Sequence, residues 1–181
     1  GGVEEHRLAS LDGVSPGAIR AFLAGRAAFR RGRPDQAAVH YRQAVTIDSA
    51  FAVAGLDLWR AAGWTKSEAD AALGYRVLRA NRGRLGAPER TLHDALVKQW
   101  QDAPEMFRVW NAAVSAYPER PETWYGLADS YFHWGMLAGI EDALTRAENA
   151  YRRGWALDSA ESGSAALSGP LVAETMDHLV V

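Results

Sequence analysis

The chain has 181 residues, 48% of them apolar, a formal net charge of −2 and no cysteine. This composition suits one folded domain or a short solenoid; it excludes disulfides, thiolate metal sites and cysteine nucleophiles, and it argues against nucleic-acid or membrane-surface partners. No apolar run reaches the roughly 18 residues of a membrane span, and Gly1-Gly2-Val3-Glu4-Glu5-His6 lacks the basic and apolar regions of a signal peptide, which favours the cytoplasm but leaves the compartment open.

Residues 1–14 read as a lead-in. Ser15-Pro16 predicts a helix start, with Ser as N-cap and Pro at the first helical position. The helix runs to about Arg31, with Ile19, Phe22, Leu23 and Phe29 as apolar contacts, and Gly32 ends it. Pro34 opens a second helix carrying Ala37, Tyr41, Ala44 and Val45, closed by Asp48-Ser49-Ala50. Phe51 to Ala62 is a third, stopped near Gly63. Thr65 and Glu68 have capping-box spacing for a fourth, which reaches about Ala80 and buries Ala71, Tyr75, Val77 and Leu78.

Asn81 to Gly86 is a turn. Pro88 starts helix five, with Leu92, Leu96, Val97 and Trp100 inward. Asp102 caps helix six, which holds Met106, Phe107, Trp110 and Val114 and ends at Tyr117-Pro118. Pro121 starts helix seven, ending at Gly135, and helix eight spans about Glu141 to Leu157 before Asp158-Ser159-Ala160. Glu161 to Gly169 reads as a loop, and Pro170 to about Leu179 as a capping helix. No segment alternates as a strand would, so the expected fold is all-α.

Tyr41, Tyr75, Trp110 and Tyr151 recur at intervals of 34, 35 and 41 residues, with Ala37, Ala71, Met106 and Ala147 four positions earlier. Trp124-x-x-Leu127-Ala128-x-x-Tyr131 follows Pro121, and Gly25 and Gly32 stand at the close-approach and turn positions of the first unit. This pattern resembles the tetratricopeptide repeat. The resemblance implies a right-handed superhelical solenoid of four antiparallel helix pairs over residues 15–160, with units starting near 18, 52, 87 and 121. The last unit has an insertion at 135–141.

Leu8-Ala9-Ser10, Ala18 to Gly25, and Tyr117 to Leu127 followed by Phe132-His133 are similar to repeat arrays attached to bacterial serine/threonine kinases, nucleotide cyclases and winged-helix regulators. All basic residues except Lys66 and Lys98 are arginine, which with the abundant alanine fits a high-GC bacterial genome. The implied role is a scaffold domain that binds protein or peptide, a regulatory or assembly module of a larger signalling protein. A small-ligand sensor shaped by the 135–141 loop is the alternative. Another is self-association as a homodimer through the apolar C-terminal helix.

No catalytic motif is present. His6, His40, His93, His133 and His178 form no metal-binding spacing, and no phosphate loop or nucleophile elbow occurs. Catalysis, cofactor, metal and nucleic acid are therefore not expected. Of seven tryptophans, five are expected in the core, with Trp64 and Trp134 exposed at helix ends. In this architecture the first helix of each pair lines a concave face. The resemblance thus nominates Arg26, Phe29, Arg30, Arg60, Lys98, Tyr125, Asp129, Phe132 and His133 as peptide-binding residues. The set is basic toward the N-terminal end and aromatic with Asp129 toward the other, as an extended peptide with an acidic part and an apolar anchor requires.

Overall fold

The computed structural model describes residues 11–98 and 102–162. Among the described residues every regular element is helical. The elements are α1 (Pro16–Arg30), α2 (Pro34–Ile47), α3 (Ala52–Thr65), α4 (Glu68–Ala80), a 3-10 turn (Arg82–Arg84), α5 (Ala87–Lys98), α6 (Ala103–Ala116), α7 (Pro121–Ser130) continuing into a π turn (Tyr131–Gly135), and α8 (Ala143–Ser162). The chain divides into two compact units within α5, between Arg90 and Thr91. No described helix is long and apolar enough to cross a membrane.

Local chemistry sets most boundaries. The Ser15 hydroxyl accepts from Ala18 N–H at 3.3 Å, and the Asp102 carboxylate accepts from Glu105 N–H at 2.7 Å. Pro34 and Pro121 occupy first-turn positions, where the missing N–H costs nothing. Gly32 takes φ +74° just beyond α1.

Three boundaries differ from expectation. Helix α3 passes through Gly63 and stops at Lys66, the only described non-glycine residue with positive φ (55°). Ser67, not Thr65, caps α4 by accepting from Asp70 N–H, and Thr65 Oγ1 is buried without a described partner. Helix α8 continues past Asp158 to Ser162, consuming two residues read as loop. The rest of the loop, the capping helix at 170–179 and Trp100 lie outside the described residues.

In the first unit α1 packs on α2, α2 on α3, and α3 on α4. Small residues allow the close approach. Buried Ala18, Ala21, Ala28, Ala37, Ala38 and Ala44 line α1 and α2, and the Tyr41 ring lies over Gly25. Phe22 meets the Tyr41 ring at 5.9 Å and the Phe51 ring at 5.0 Å, forming the aromatic centre of the unit. Gly55 faces Gly74 and Leu78, while Gly74 faces Trp59, so α3 and α4 run antiparallel with backbones almost touching.

Residues 51–58 are all buried because α2 and α4 both press on α3. Helix α4 correspondingly turns Gly74, not Tyr75, toward α3. Tyr75 is 42% exposed and lies against Trp59 at 5.7 Å, which corrects its place in the buried stripe. Leu23 and Val97, expected inward, are exposed as well.

Across the second helices of this unit, Arg42 grips Asp70 with two 2.7 Å hydrogen bonds, Nε to Oδ1 and Nη2 to Oδ2. The guanidinium holds the Asp70 carboxyl below the usual aspartate range against the opposing effect of burial. A lowered folded-state value means this stabilisation is present above the unfolded value of about 3.9 and disappears as pH falls through the folded value. Asp70→Asn should cost about 1 kcal/mol at pH 6, the strength of a charge-assisted pair discounted for the half-exposed Arg42. The difference between wild type and variant should shrink by pH 3. Urea titrations at both pH values check this, and an undiminished difference at pH 3 would refute it.

In the second unit α6 packs on α7, and α7 with its π turn packs on α8. Trp110 is fully buried, its six-membered ring against Gly126. The Phe107 ring stacks on Tyr131 at 5.2 Å, and the Arg146 guanidinium lies 5.7 Å from the Tyr131 ring centre. Ala128 is wholly buried at the motif's small position, with Leu127 and Tyr131 buried beside it. Of the described tryptophans only Trp110 is buried. Trp59, Trp124 and Trp155 are half-buried, which corrects the expectation of a larger tryptophan core, and Trp124 donates from Nε1 to the Pro118 carbonyl at 2.8 Å. Trp64 and Trp134 are exposed.

Candidate peptide-binding site

Four of the nominated residues come together in the first unit around an acid that the sequence reading passed over. Asp57 stands in the buried first half of α3 and is 4% exposed. A carboxylate there requires a partner, because an isolated buried charge is far too costly to keep. It has two. Arg26 of α1 donates from Nε to Oδ2 at 3.0 Å, and Arg60 of α3 donates from Nη1 to Oδ1 at 3.2 Å. The Arg26 guanidinium also covers the Phe22 ring at 4.7 Å, and that of Arg60 stands 6.0 Å from the centre of the Phe29 ring.

Arg30, one turn beyond Arg26, is exposed and has no carboxylate in salt-bridge reach among the described residues. Beneath the cluster lies Tyr41. Burial pushes its phenol above the ordinary tyrosine range, the Asp57 carboxylate pushes it further, and Arg26, Arg60 and Arg30 oppose both. Two guanidiniums therefore hold one carboxylate, and the exposed Arg30 adds a third positive charge near Tyr41. The Arg26 and Arg60 side chains retain 27% and 19% of their surface. They are held in place by Asp57 and the aromatic rings without being closed off. A guanidinium presents five N–H donors in a planar fork suited to carboxylates.

The nominated residues of the second unit fare differently. Asp129 Oδ1 and His133 Nε2 are 3.3 Å apart, one helical turn from each other, and the Phe132 ring meets the His133 ring edge-on at 5.0 Å. These three form one exposed to half-exposed group at the end of α7 and in the π turn. Lys98 is half-exposed and stands 3.9 Å from Glu105.

Tyr125 is not a surface residue. It is 4% exposed, packed against Gly154 and Tyr151 of α8, and burial, then Asp158 and Glu122, raises its phenol above the usual range. Its hydroxyl has no hydrogen-bond partner among the described residues. Trp124, one position earlier, is half-buried and donates to the Pro118 carbonyl, while Tyr125 faces α8.

Two acids were missed as organisers, Asp57 and Asp70. Asp57 had a readable signal: a single carboxylate among apolar or small residues in a helix. Asp57 also has Arg60 three positions on. No described group of three or more His, Cys, Asp or Glu side chains could hold a metal ion. No protein-family profile, curated protein or solved structure matches the chain.

Proposed function

We propose that the chain is a tetratricopeptide-like solenoid of helix pairs that binds an acidic segment of a protein partner through the Arg26–Asp57–Arg60 cluster. On this reading it is a regulatory or assembly module of a bacterial signalling protein, without catalysis of its own. The observation that carries the proposal is the pair of partly exposed guanidiniums fixed on Asp57 and the Phe22 and Phe29 rings, with the exposed Arg30 on the same helix as Arg26. The antiparallel helix pairs with small residues at their contacts support the solenoid reading. The bacterial signalling context rests on the resemblance of the Ala18–Gly25 and Tyr117–Leu127 stretches.

Fluorescence anisotropy with a labelled peptide of aspartate, glutamate and one leucine tests the site. The peptide should bind in low salt and weaken as salt rises. Arg30→Ala should weaken it by about tenfold, the loss of one charge-assisted contact, with an unchanged circular dichroism spectrum. Equal binding of a neutral peptide, or indifference to Arg30→Ala, would refute the site.

A second reading has its own observation. A cavity of about 640 Å3 opens in the first unit among Val14, Phe51, Ala52, Arg84, Leu85 and Arg90. Its size suits a small molecule, and Arg84 and Arg90, which outnumber the one acid on its lining, Asp12, suit an anionic one. Its lining residues belong to the first unit, whereas the 135–141 loop to which the sequence pointed belongs to the second. This cavity supports the sensor reading, and a thermal-shift series of small carboxylates and phosphates tests it.

A further inference from the structure

We propose that the tip joining α7 to α8 is a second docking surface, for a protein segment carrying apolar anchors flanked by lysine or arginine. The tip begins in the π turn and runs Trp134-Gly135-Met136-Leu137-Ala138-Gly139-Ile140, seven residues without a charge. It is ordered by its own backbone. Ala138 N–H donates to the Trp134 carbonyl at 2.9 Å, Gly139 to Met136 at 3.1 Å and Ile140 to Gly135 at 2.9 Å. Gly139 takes φ +76°, and Gly135 is seated so closely on Ala143 that a Cβ would lie 2.4 Å from the alanine methyl.

This tip holds its apolar side chains outward. Leu137 is 80% exposed and Met136 60%, with Trp134 and Leu144 exposed beside them. Four large apolar side chains exposed along one helix connection mark an interaction site, whereas single exposed apolar residues do not. Tryptophan and methionine are the side chains that anchor interfaces and adapt to partners.

Charge selects the occupant. From Tyr131 to Thr145 there is no lysine or arginine, while Glu141 and Asp142 border the apolar run directly. Both are exposed; Arg146, just beyond this stretch, neutralises Asp142 at 2.8 Å, so the negative charge beside the apolar run is that of Glu141, which has no cation in salt-bridge reach among the described residues. An anionic lipid surface would be repelled by this border. A second copy would bring two identical acidic borders together. A segment with basic flanks is attracted by it and steered onto the apolar centre.

The test is selection of a random dodecapeptide phage library on the whole chain, counter-selected on Met136→Ser/Leu137→Ser. These side chains are exposed, so the double variant should keep its circular dichroism spectrum. Enriched clones should carry two or more apolar residues flanked by Lys or Arg. A representative synthetic peptide should bind the double variant at least about tenfold more weakly, and Glu141→Gln/Asp142→Gln weaker too, with Arg30→Ala unchanged. Enrichment of acidic or neutral clones, or binding indifferent to Met136 and Leu137, overturns the proposal. So does a concentration-dependent dimer, or flotation with phosphatidylserine vesicles, that Leu137→Ser abolishes.

Discussion

Gly74→Ala is expected to destabilise the first unit by about 2 kcal/mol, although alanine is the better helix former. In an open helix the same change gains about 1 kcal/mol. At Gly74 the new methyl would lie 2.6 Å from Trp59 N and 2.7 Å from the Gly55 carbonyl oxygen. Both are backbone atoms, so no rotamer change relieves the contact, and α3 and α4 must separate. Overpacking of this kind costs typically 1–3 kcal/mol, occasionally more. It also opens the buried surface around Leu78, Gly55 and Leu58. The melting temperature should fall by roughly 4–8 °C for a chain of this length.

Gly63→Ala is the internal control. Gly63 lies within α3, and nothing stands within 4 Å of a Cβ built there. That variant should gain about 1 kcal/mol from helix propensity and the lost unfolded-state freedom of glycine. Urea denaturation followed by circular dichroism separates the two signs. If Gly74→Ala matches or exceeds wild type, the close α3–α4 approach is wrong.

These two glycines show what was legible in the sequence. Helix starts were readable because a cap is local: Ser15, Pro34, Asp102 and Pro121 each act within one turn. Helix ends at glycine were less so. Gly32 stops α1 because the chain adopts positive φ there, but Gly63 keeps helical geometry and serves only as a space. The aromatic stride found Tyr41, Trp110 and Tyr151, which are buried, and misplaced Tyr75, which is exposed. A stride counts positions along the chain, whereas burial follows the face that meets a neighbour, and at α4 that face carries Gly74.

Site residues divide in the same way. Arg26, Phe29, Arg30 and Arg60 were reached through a resemblance, and they do lie together. Their organiser Asp57 was not, since the Arg26 pairing spans 31 residues of chain. Tyr125 was misassigned because one residue of helix rotation, about 100°, separates an exposed position from the core.

Asp57→Ala is expected to cost about 3 kcal/mol. It leaves two guanidiniums at 27% and 19% exposure facing each other without the carboxylate that both hold. Breaking a buried ion pair costs 3–5 kcal/mol, and the partial solvent access of both arginines sets the lower end of that range. The same loss would follow if the cluster were purely structural, so this variant alone does not separate the roles. Arg26→Met/Asp57→Leu/Arg60→Met does. An apolar set of similar volume often equals or exceeds a buried ionic cluster in stability, because no charge then has to leave water. The triple variant should therefore recover most of the stability lost in Asp57→Ala while the acidic peptide no longer binds. Thermal denaturation and anisotropy on one set of proteins read both quantities. A triple variant as unstable as Asp57→Ala would make the cluster part of the core. One that still binds the acidic peptide with wild-type affinity would place the binding face elsewhere.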